Sequence, residues 1–163
     1  MSNTEMVTFE SSQEYVGFWA RFGAAIIDSI LLVAITFPLL YMIYGSQYWD
    51  SEEFILGVPD FIISWIFPFV ATVLFWIYKS ATPGKMALKA RVVDAKTGNA
   101  PTAQQSIIRY IGYYISLLPL GLGYFWVGWD KKKQSWHDKL AGTVVIRPIN
   151  KGVENVSFSE SNS

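Results

Sequence analysis

Four ionisable residues stand where the chain is otherwise apolar or tightly turned: Arg21, Asp28, Arg109 and Asp138. Arg21 and Asp28 are seven residues apart, so on a helix they share one face, about 10 Å apart along its axis. Asp28 is the single charge in Phe22–Tyr44, and Arg109 the single charge in Ile107–Trp129. A carboxylate carried into hydrocarbon costs about 2.5–3.5 kcal/mol on insertion scales, so Asp28 must be paired, hydrated or protonated. The small residues Ala24, Ala25 and Ser29 beside it let another helix approach closely. Arg109 is the expected intramembrane partner. Two chemistries fit: a titrating or cation-binding carboxylate, or a structural ion pair that fixes helix packing.

Two further motifs invite catalytic readings. His137 beside Asp138 has the makings of an acid–base pair, but the chain has no cysteine, no second histidine and no Gly-x-Ser-x-Gly. Ser135, with an acid three residues on, reads instead as a helix cap, and Gly142 as the stop. Gly84-Lys85 resembles the end of a phosphate-binding loop. The earlier glycine is missing, however, and Met86 stands where Ser or Thr would hold Mg²⁺. No catalytic residue, cofactor or metal site is therefore expected, and the chain is not read as an enzyme.

The elements that must position these charges follow from composition. Of 163 residues, 52% are hydrophobic and only 16% charged, against roughly 25% charged in an ordinary soluble protein. Zero cysteine excludes disulfides and thiolate metal sites. Thirteen basic residues balance thirteen acidic ones, which excludes a generic nucleic-acid binder unless the charge is segregated. It is segregated, and in a pattern that fits a lipid bilayer. Phe22–Tyr44, Phe61–Tyr78 and Ile107–Trp129 are each long enough to span, at 23, 18 and 23 residues. Residues 45–60 hold only acidic charges, whereas 79–109 and 130–151 hold twelve of the thirteen basic ones. Lys and Arg favour the cytoplasm. The first two stretches then form a hairpin with 45–60 outside. Residues 1–20 carry three glutamates and no basic residue, unlike a cleavable signal peptide.

A third crossing would put Lys131–Lys133 outside. The third stretch offers a way around this, because its centre reads Leu118-Pro119-Leu120-Gly121-Leu122-Gly123. Proline and glycine break the helix there, into two arms of about a dozen residues, each half a bilayer long. We read 107–129 as a re-entrant helical hairpin with both ends cytoplasmic, the alternative being one kinked span. The β-branched segments 90–94 and 143–147 are expected to pair, which requires both on one side. Trp19, Tyr44, Tyr48, Trp49, Tyr78 and Trp129 mark the ends of the apolar stretches as an interfacial aromatic belt.

The predicted architecture is an all-α membrane protein. It has two transmembrane helices, a re-entrant or kinked helical hairpin and a small cytoplasmic two-stranded β element. Residues 1–15 and 148–163 are expected as disordered tails around a membrane domain at 16–147. The expected location is the cell (inner) membrane, multi-pass, with both termini cytoplasmic.

Gly17-Phe18-Trp19-Ala20-Arg21-Phe22 leading to Asp28, then Thr82-Pro83-Gly84-Lys85, Arg91-Val92-Val93-Asp94, Arg109-Tyr110, Leu117-Leu118-Pro119-Leu120-Gly121 and His137-Asp138-Lys139-Leu140-Ala141-Gly142-Thr143-Val144-Val145 occur in this order. Together they resemble the RDD family of membrane proteins, from about Val16 to Arg147. The family is named for one arginine and two aspartates, which Arg21, Asp28 and Asp138 match. The resemblance implies a bacterial-type integral membrane protein. The family is broadly described as transport-related, with some members linked to sodium/proton exchange. The reading that follows is a small transporter or cation/proton exchange component, with Asp28 as its carboxylate and Arg21, Arg109 and Asp138 setting the charge around it. Two spans and a hairpin leave little room for a sealed pathway in one subunit, so a homo-oligomer is expected. The alternative is a membrane scaffold or assembly factor that docks a cytoplasmic partner.

Overall fold

A computed structural model describes residues 13–149. Strand β1 (Gln13–Tyr15) leads into helix α1 (Phe18–Tyr44), which ends where Gly45 turns left-handed. Two short helices, α2 (Gln47–Asp50) and α3 (Val58–Phe61), form the turnaround. From α3 the chain runs through a π-helical turn, Ile62–Ile66, into α4 (Phe67–Lys79), so that Val58–Lys79 is one continuous apolar helix. The wide turn lies just ahead of Pro68, whose ring would clash with a carbonyl one regular turn earlier. Helix α5 (Pro83–Ala87), strand β2 (Arg91–Asp94) and helix α6 (Ala103–Leu117) follow. The chain then passes through α7 (Leu122–Phe125), a 3₁₀ turn at Trp126–Gly128, α8 (Trp136–Ala141) and β3 (Thr143–Pro148).

Two helices, Phe18–Tyr44 and Val58–Lys79, are long and apolar enough to cross a membrane. Most of their large side chains are exposed: Ile30, Val33 and Met42 of α1 are 62%, 59% and 83% exposed, whereas Leu40 and, in the second helix, Val73 and Trp76 are buried. A helix apolar all round and uncovered by protein needs an apolar solvent. Of the six aromatic residues at the ends of the apolar stretches, Trp19, Trp49, Tyr78 and Trp129 are exposed and Tyr44 and Tyr48 half-buried.

The third apolar stretch is broken as its sequence suggests. Leu120 and Gly121 take positive φ values of 53° and 78°, and the helices on either side bend by 113°. The arms are unequal, which corrects the expectation of two equal ones. The first, Ala103–Leu117, has 15 residues because a Thr102–Gln105 capping box starts it earlier than the apolar run. The return, Leu122–Gly128, is only two short turns. The arms close tightly: a Cβ on Gly123 would lie 2.6 Å from Ser116 Cα.

The sheet corrects two expectations. β2 and β3 pair antiparallel, with Val92 opposite Val145 and Val93 opposite Val144, as the β-branched segments predicted. A third strand joins them: β1 pairs with the other edge of β3, giving the order β1-β3-β2. Residues 13–15 therefore belong to the folded unit and not to a tail, and Pro148 closes β3. Three residues beginning with two polar side chains carry too little pattern to read as a strand; the pairing comes from β3's free edge. The rest of both expected tails lies outside the described residues. The alternation of side chains puts Val92 and Val145 on the inner face, packed with Val16, Ala90 and Trp76. Trp76, near the end of α4, is fully buried there. The sheet therefore gathers the start of α1, the end of α4 and the exit of the bent pair at one end of the molecule.

The β1 register is directly testable, because the chain has no cysteine of its own. Cysteines replacing Glu14 and Arg147, opposite each other in the ladder, are expected to form a disulfide under mild oxidation. The pair at Glu14 and Val145, two residues out of register, is not. Efficient crosslinking of the second pair alone would refute the register.

Candidate functional site

The charges fall into two clusters at the sheet end. The first centres on Asp138, in the first turn of α8 and fully buried. Ser135 caps that helix as its sequence predicted, and its backbone N–H and hydroxyl both donate to Asp138 Oδ2, at 3.0 and 2.7 Å. Arg21 Nη1 donates to the same oxygen at 2.5 Å, and Arg109 Nη1 donates to Oδ1. Arg109 also reaches Thr143 Oγ1 at 2.7 Å, at the start of β3, and its guanidinium lies 5.2 Å from the Trp76 ring centre. Arg21 donates in addition to the carbonyls of Val16 and Lys133. One carboxylate thus ties α1, α6, α8 and the root of the sheet together.

Burial alone would push the Asp138 carboxyl up, but Arg109 and Arg21 more than reverse it and hold it well below the usual carboxylate range. His137 goes the other way. Burial is the largest influence, and the imidazole is held well below its ordinary value. It is therefore neutral, packed between Tyr113 and Tyr124, with Ser135 Oγ 2.7 Å from Nε2 and Ser116 Oγ 3.3 Å from Nδ1. Gly112 gives it room, since a Cβ there would lie 2.9 Å from His137 Cα.

The second cluster centres on Asp28, and here the expected partner is wrong. Arg109 is spoken for by Asp138. Asp28 accepts from Thr82 Oγ1 at 2.5 Å and from the Gly84 backbone N–H at 2.7 Å. Thr82 occupies the cap position of α5, with Pro83 first in the helix, as the sequence suggested. Its hydroxyl, however, turns to Asp28, and Asp28 caps the helix from another part of the chain. The small-residue surface around Asp28 does admit a close neighbour, but that neighbour is α5 and not a second span: a Cβ on Gly84 would fall 2.0 Å from Ala24 O. Asp28 has no cationic partner within 4.0 Å among the described residues.

A cavity of about 720 Å³ connects the clusters. Arg21, Asp28, Lys85 and Arg109 line it at the sheet end, and Leu32, Ile35 and Phe67 line it farther along the spans. Of the four residues singled out from the sequence, Arg21, Arg109 and Asp138 come together and Asp28 stands apart; Arg21, Asp28 and Arg109 line the cavity, whereas Asp138 lies behind its wall. Lys85, which also lines the cavity, is a residue that sequence reasoning misses. The signal that could have found it was the need for polar partners around Asp28, which the Thr82-Pro83-Gly84-Lys85 turn supplies. Asp60, in the first turn of α3 at the far end, is buried and accepts from Leu56 N–H and Ser64 Oγ.

An arginine and two aspartates, each at the point where separate elements meet, are the residues that named the resemblance, and the RDD family profile matches residues 15–142. The chain belongs to the RDD family. RDD proteins are membrane proteins, in accord with the two uncovered apolar spans. Among relatives, an uncharacterized protein of Rickettsia prowazekii, RP437, is 43% identical over 75 residues, which are 46% of this chain and 41% of that protein. The match thus spans less than half of the Rickettsia protein. YxaI of Bacillus subtilis, also uncharacterized, is 27% identical over 146 residues, 80% of this chain and 95% of its own length. The uncharacterized membrane protein YteJ of the same organism is 25% identical over 134 residues, 81% of this chain and 80% of its own. No solved structure matches the RDD chain.

Replacing Asp138 by Asn should strand the buried Arg109 guanidinium, leave the partly buried Arg21 without its carboxylate and destabilise the fold by about 3–5 kcal/mol. Adding Arg109→Gln should cost far less than in the wild type, because the two share one interaction. The pH dependence carries a sign. A carboxylate whose folded pKa is depressed stabilises the fold above its unfolded value, about 3.9, and that stability is lost as pH falls toward the folded value. Thermal unfolding in detergent should show Asp138's contribution intact at pH 5 and above and declining below about pH 4. An Asp138→Asn protein with an unchanged acid limb would contradict this.

Proposed function

We propose that this RDD protein is a multi-pass protein of the cell membrane and a small transport component in which Asp28 exchanges a proton or a small cation. The observation that carries this reading is the placement of Asp28: it lines a cavity, and its partners are a hydroxyl and a backbone N–H. A carboxylate neutralised by an arginine is locked in its charged form, whereas one held by uncharged donors can bind and release a cation. The buried lock of Arg21, Asp138 and Arg109 serves positioning in this scheme. It keeps α1 and α6 in place around the cavity.

The orientation follows the charge. The exposed lysines at 131–133 and the three-stranded sheet share one end, and a polybasic end favours the cytoplasm. The bent pair leaves from that end after β2 and returns to it before β3, which supports the re-entrant reading with both termini inside. Two spans and one bent pair supply too few walls to seal a pathway, so the working form is a homo-oligomer. The scaffold reading draws on a different feature: in the order β1-β3-β2 the outer edge of β1 has no strand beside it among the described residues, so a partner strand could add there, whereas the outward N–H groups of Val92 and Asp94 on β2 already donate to Ser80 and Asn99 carbonyls.

In proteoliposomes carrying a pH gradient, the wild type is expected to move protons against Na⁺ or K⁺. Asp28→Asn should abolish this while the protein still assembles, and Asp28→Glu, which keeps the acid, should retain part of it. Wild-type flux in a well-folded Asn variant removes Asp28 from transport. Failure of the wild type to move any cation, with partner capture through the sheet, favours the scaffold. A cysteine at exposed Lys132 should be labelled by an impermeant maleimide only after the cells are opened.

A further inference from the structure

The cavity holds a charge for which Asp28 does not account. Lys85 lines it and is only 8% exposed. The one polar contact of its ammonium is Thr82 Oγ1, at 3.5 Å, and no carboxylate lies within 4.0 Å among the described residues. A buried ammonium with two donors unused calls for an anion. The neighbouring charges leave that need open. Arg21 and Arg109 share the single charge of Asp138, His137 is neutral, and Asp28 offsets one cation, so the sheet end of the cavity is net positive by one. The remaining walls are mostly apolar, with Ser29 and Thr72 among the polar exceptions along the spans. From Arg21 to Ile35 the lining runs 14 residues along α1, about 21 Å at 1.5 Å per residue. One leaflet of hydrocarbon is about 15 Å, half of about 30 Å. The cavity thus has the length of one acyl chain plus its head group, with the positive end at the head.

We propose that the cavity is a binding site for one anionic glycerophospholipid, its phosphate at Lys85 and one acyl chain along α1 between Leu32, Ile35 and Phe67. The phosphodiester supplies a single negative charge and acceptor oxygens for the free N–H donors of Lys85. The acyl chain replaces the protein that the apolar wall lacks. A bilayer lipid reaches this site from the leaflet beside the sheet without leaving the membrane. The site stands whether or not Asp28 moves cations.

Native mass spectrometry of the full-length protein, released from detergent with equimolar lipids of identical acyl chains, tests this. Phosphatidylglycerol should be retained over phosphatidylcholine by about tenfold or more, the worth of one charge-assisted hydrogen bond. Lys85→Gln should erase the preference, Lys85→Arg should keep it, and Ala25→Phe, which fills the apolar wall, should weaken retention of both lipids. Equal retention of the two lipids by the wild type overturns the proposal without reference to any variant. So does a preference that survives Lys85→Gln in a folded protein. Displacement of phosphatidylglycerol by an equimolar free fatty acid would overturn the choice of a phospholipid.

Discussion

The structure depends on one buried carboxylate. Asp138 is fully enclosed, and a lone charge there would be prohibitively unfavourable. Two guanidiniums and two Ser135 donors answer it, and each comes from a different constraint. Arg21 opens the first span, Arg109 rises from the bent pair, and Ser135 caps the helix that carries the aspartate. Aromatic contacts such as Tyr113 and Tyr124 around His137 help to join α6 and α8, but most large side chains of α1 are exposed. In hydrocarbon, apolar surface supplies little preference for one helix arrangement over another. Polar pairing then decides the arrangement, and a charge network that is satisfied in only one geometry decides it strongly.

The sheet follows from the same logic. Arg109 reaches Thr143 at the root of β3, and Arg21 reaches the carbonyl of Val16 just after β1. β3 therefore starts from a fixed point beside α8, and β1 enters α1 from another. Val16, Val92 and Val145 close over Trp76, and Val93, Val144 and Ile146 cluster separately, both apolar cores that water could drive. This end of the molecule is tied to the first span and the bent pair by ion pairs and to the second span through buried Trp76.

Much of this was legible in the chain. Run length gave the spans, the Pro-Gly centre gave the bend, and β-branched segments gave the β2–β3 pair, because each signal is local and repeated over several residues. The partners of the buried charges were not legible. Asp28 and Arg109 are the single charges of their apolar stretches, and counting pairs them. The better partner for Arg109 lay in an ordinary-looking turn, Ser135 to Asp138, whose complete burial no sequence pattern reports. β1 escaped for a related reason: Gln13-Glu14-Tyr15 has no apolar run, and its order is borrowed from β3. Lys85 escaped because a basic residue in a basic segment reads as surface, whereas packing of Gly84 against Ala24 carries it inward.

The two aspartates show why this protein needs both. Had Asp28 taken Arg109, as proximity in the sequence-based topology suggested, Asp138 would keep Arg21 alone, and Thr82 would cap α5 locally. α1 and α5 would then lose the hydrogen bonds that hold them at the distance where Gly84 just clears Ala24. With Arg109 committed to Asp138, Asp28 is free to act as a cap across elements, and the space between α1, α4 and α6 stays open in place of closing on an ion pair. That space is mostly apolar along the spans and carries Arg21, Asp28, Lys85 and Arg109 at the sheet end. The division of labour between the carboxylates, one locked and one left facing the cavity, is what keeps that space in the fold.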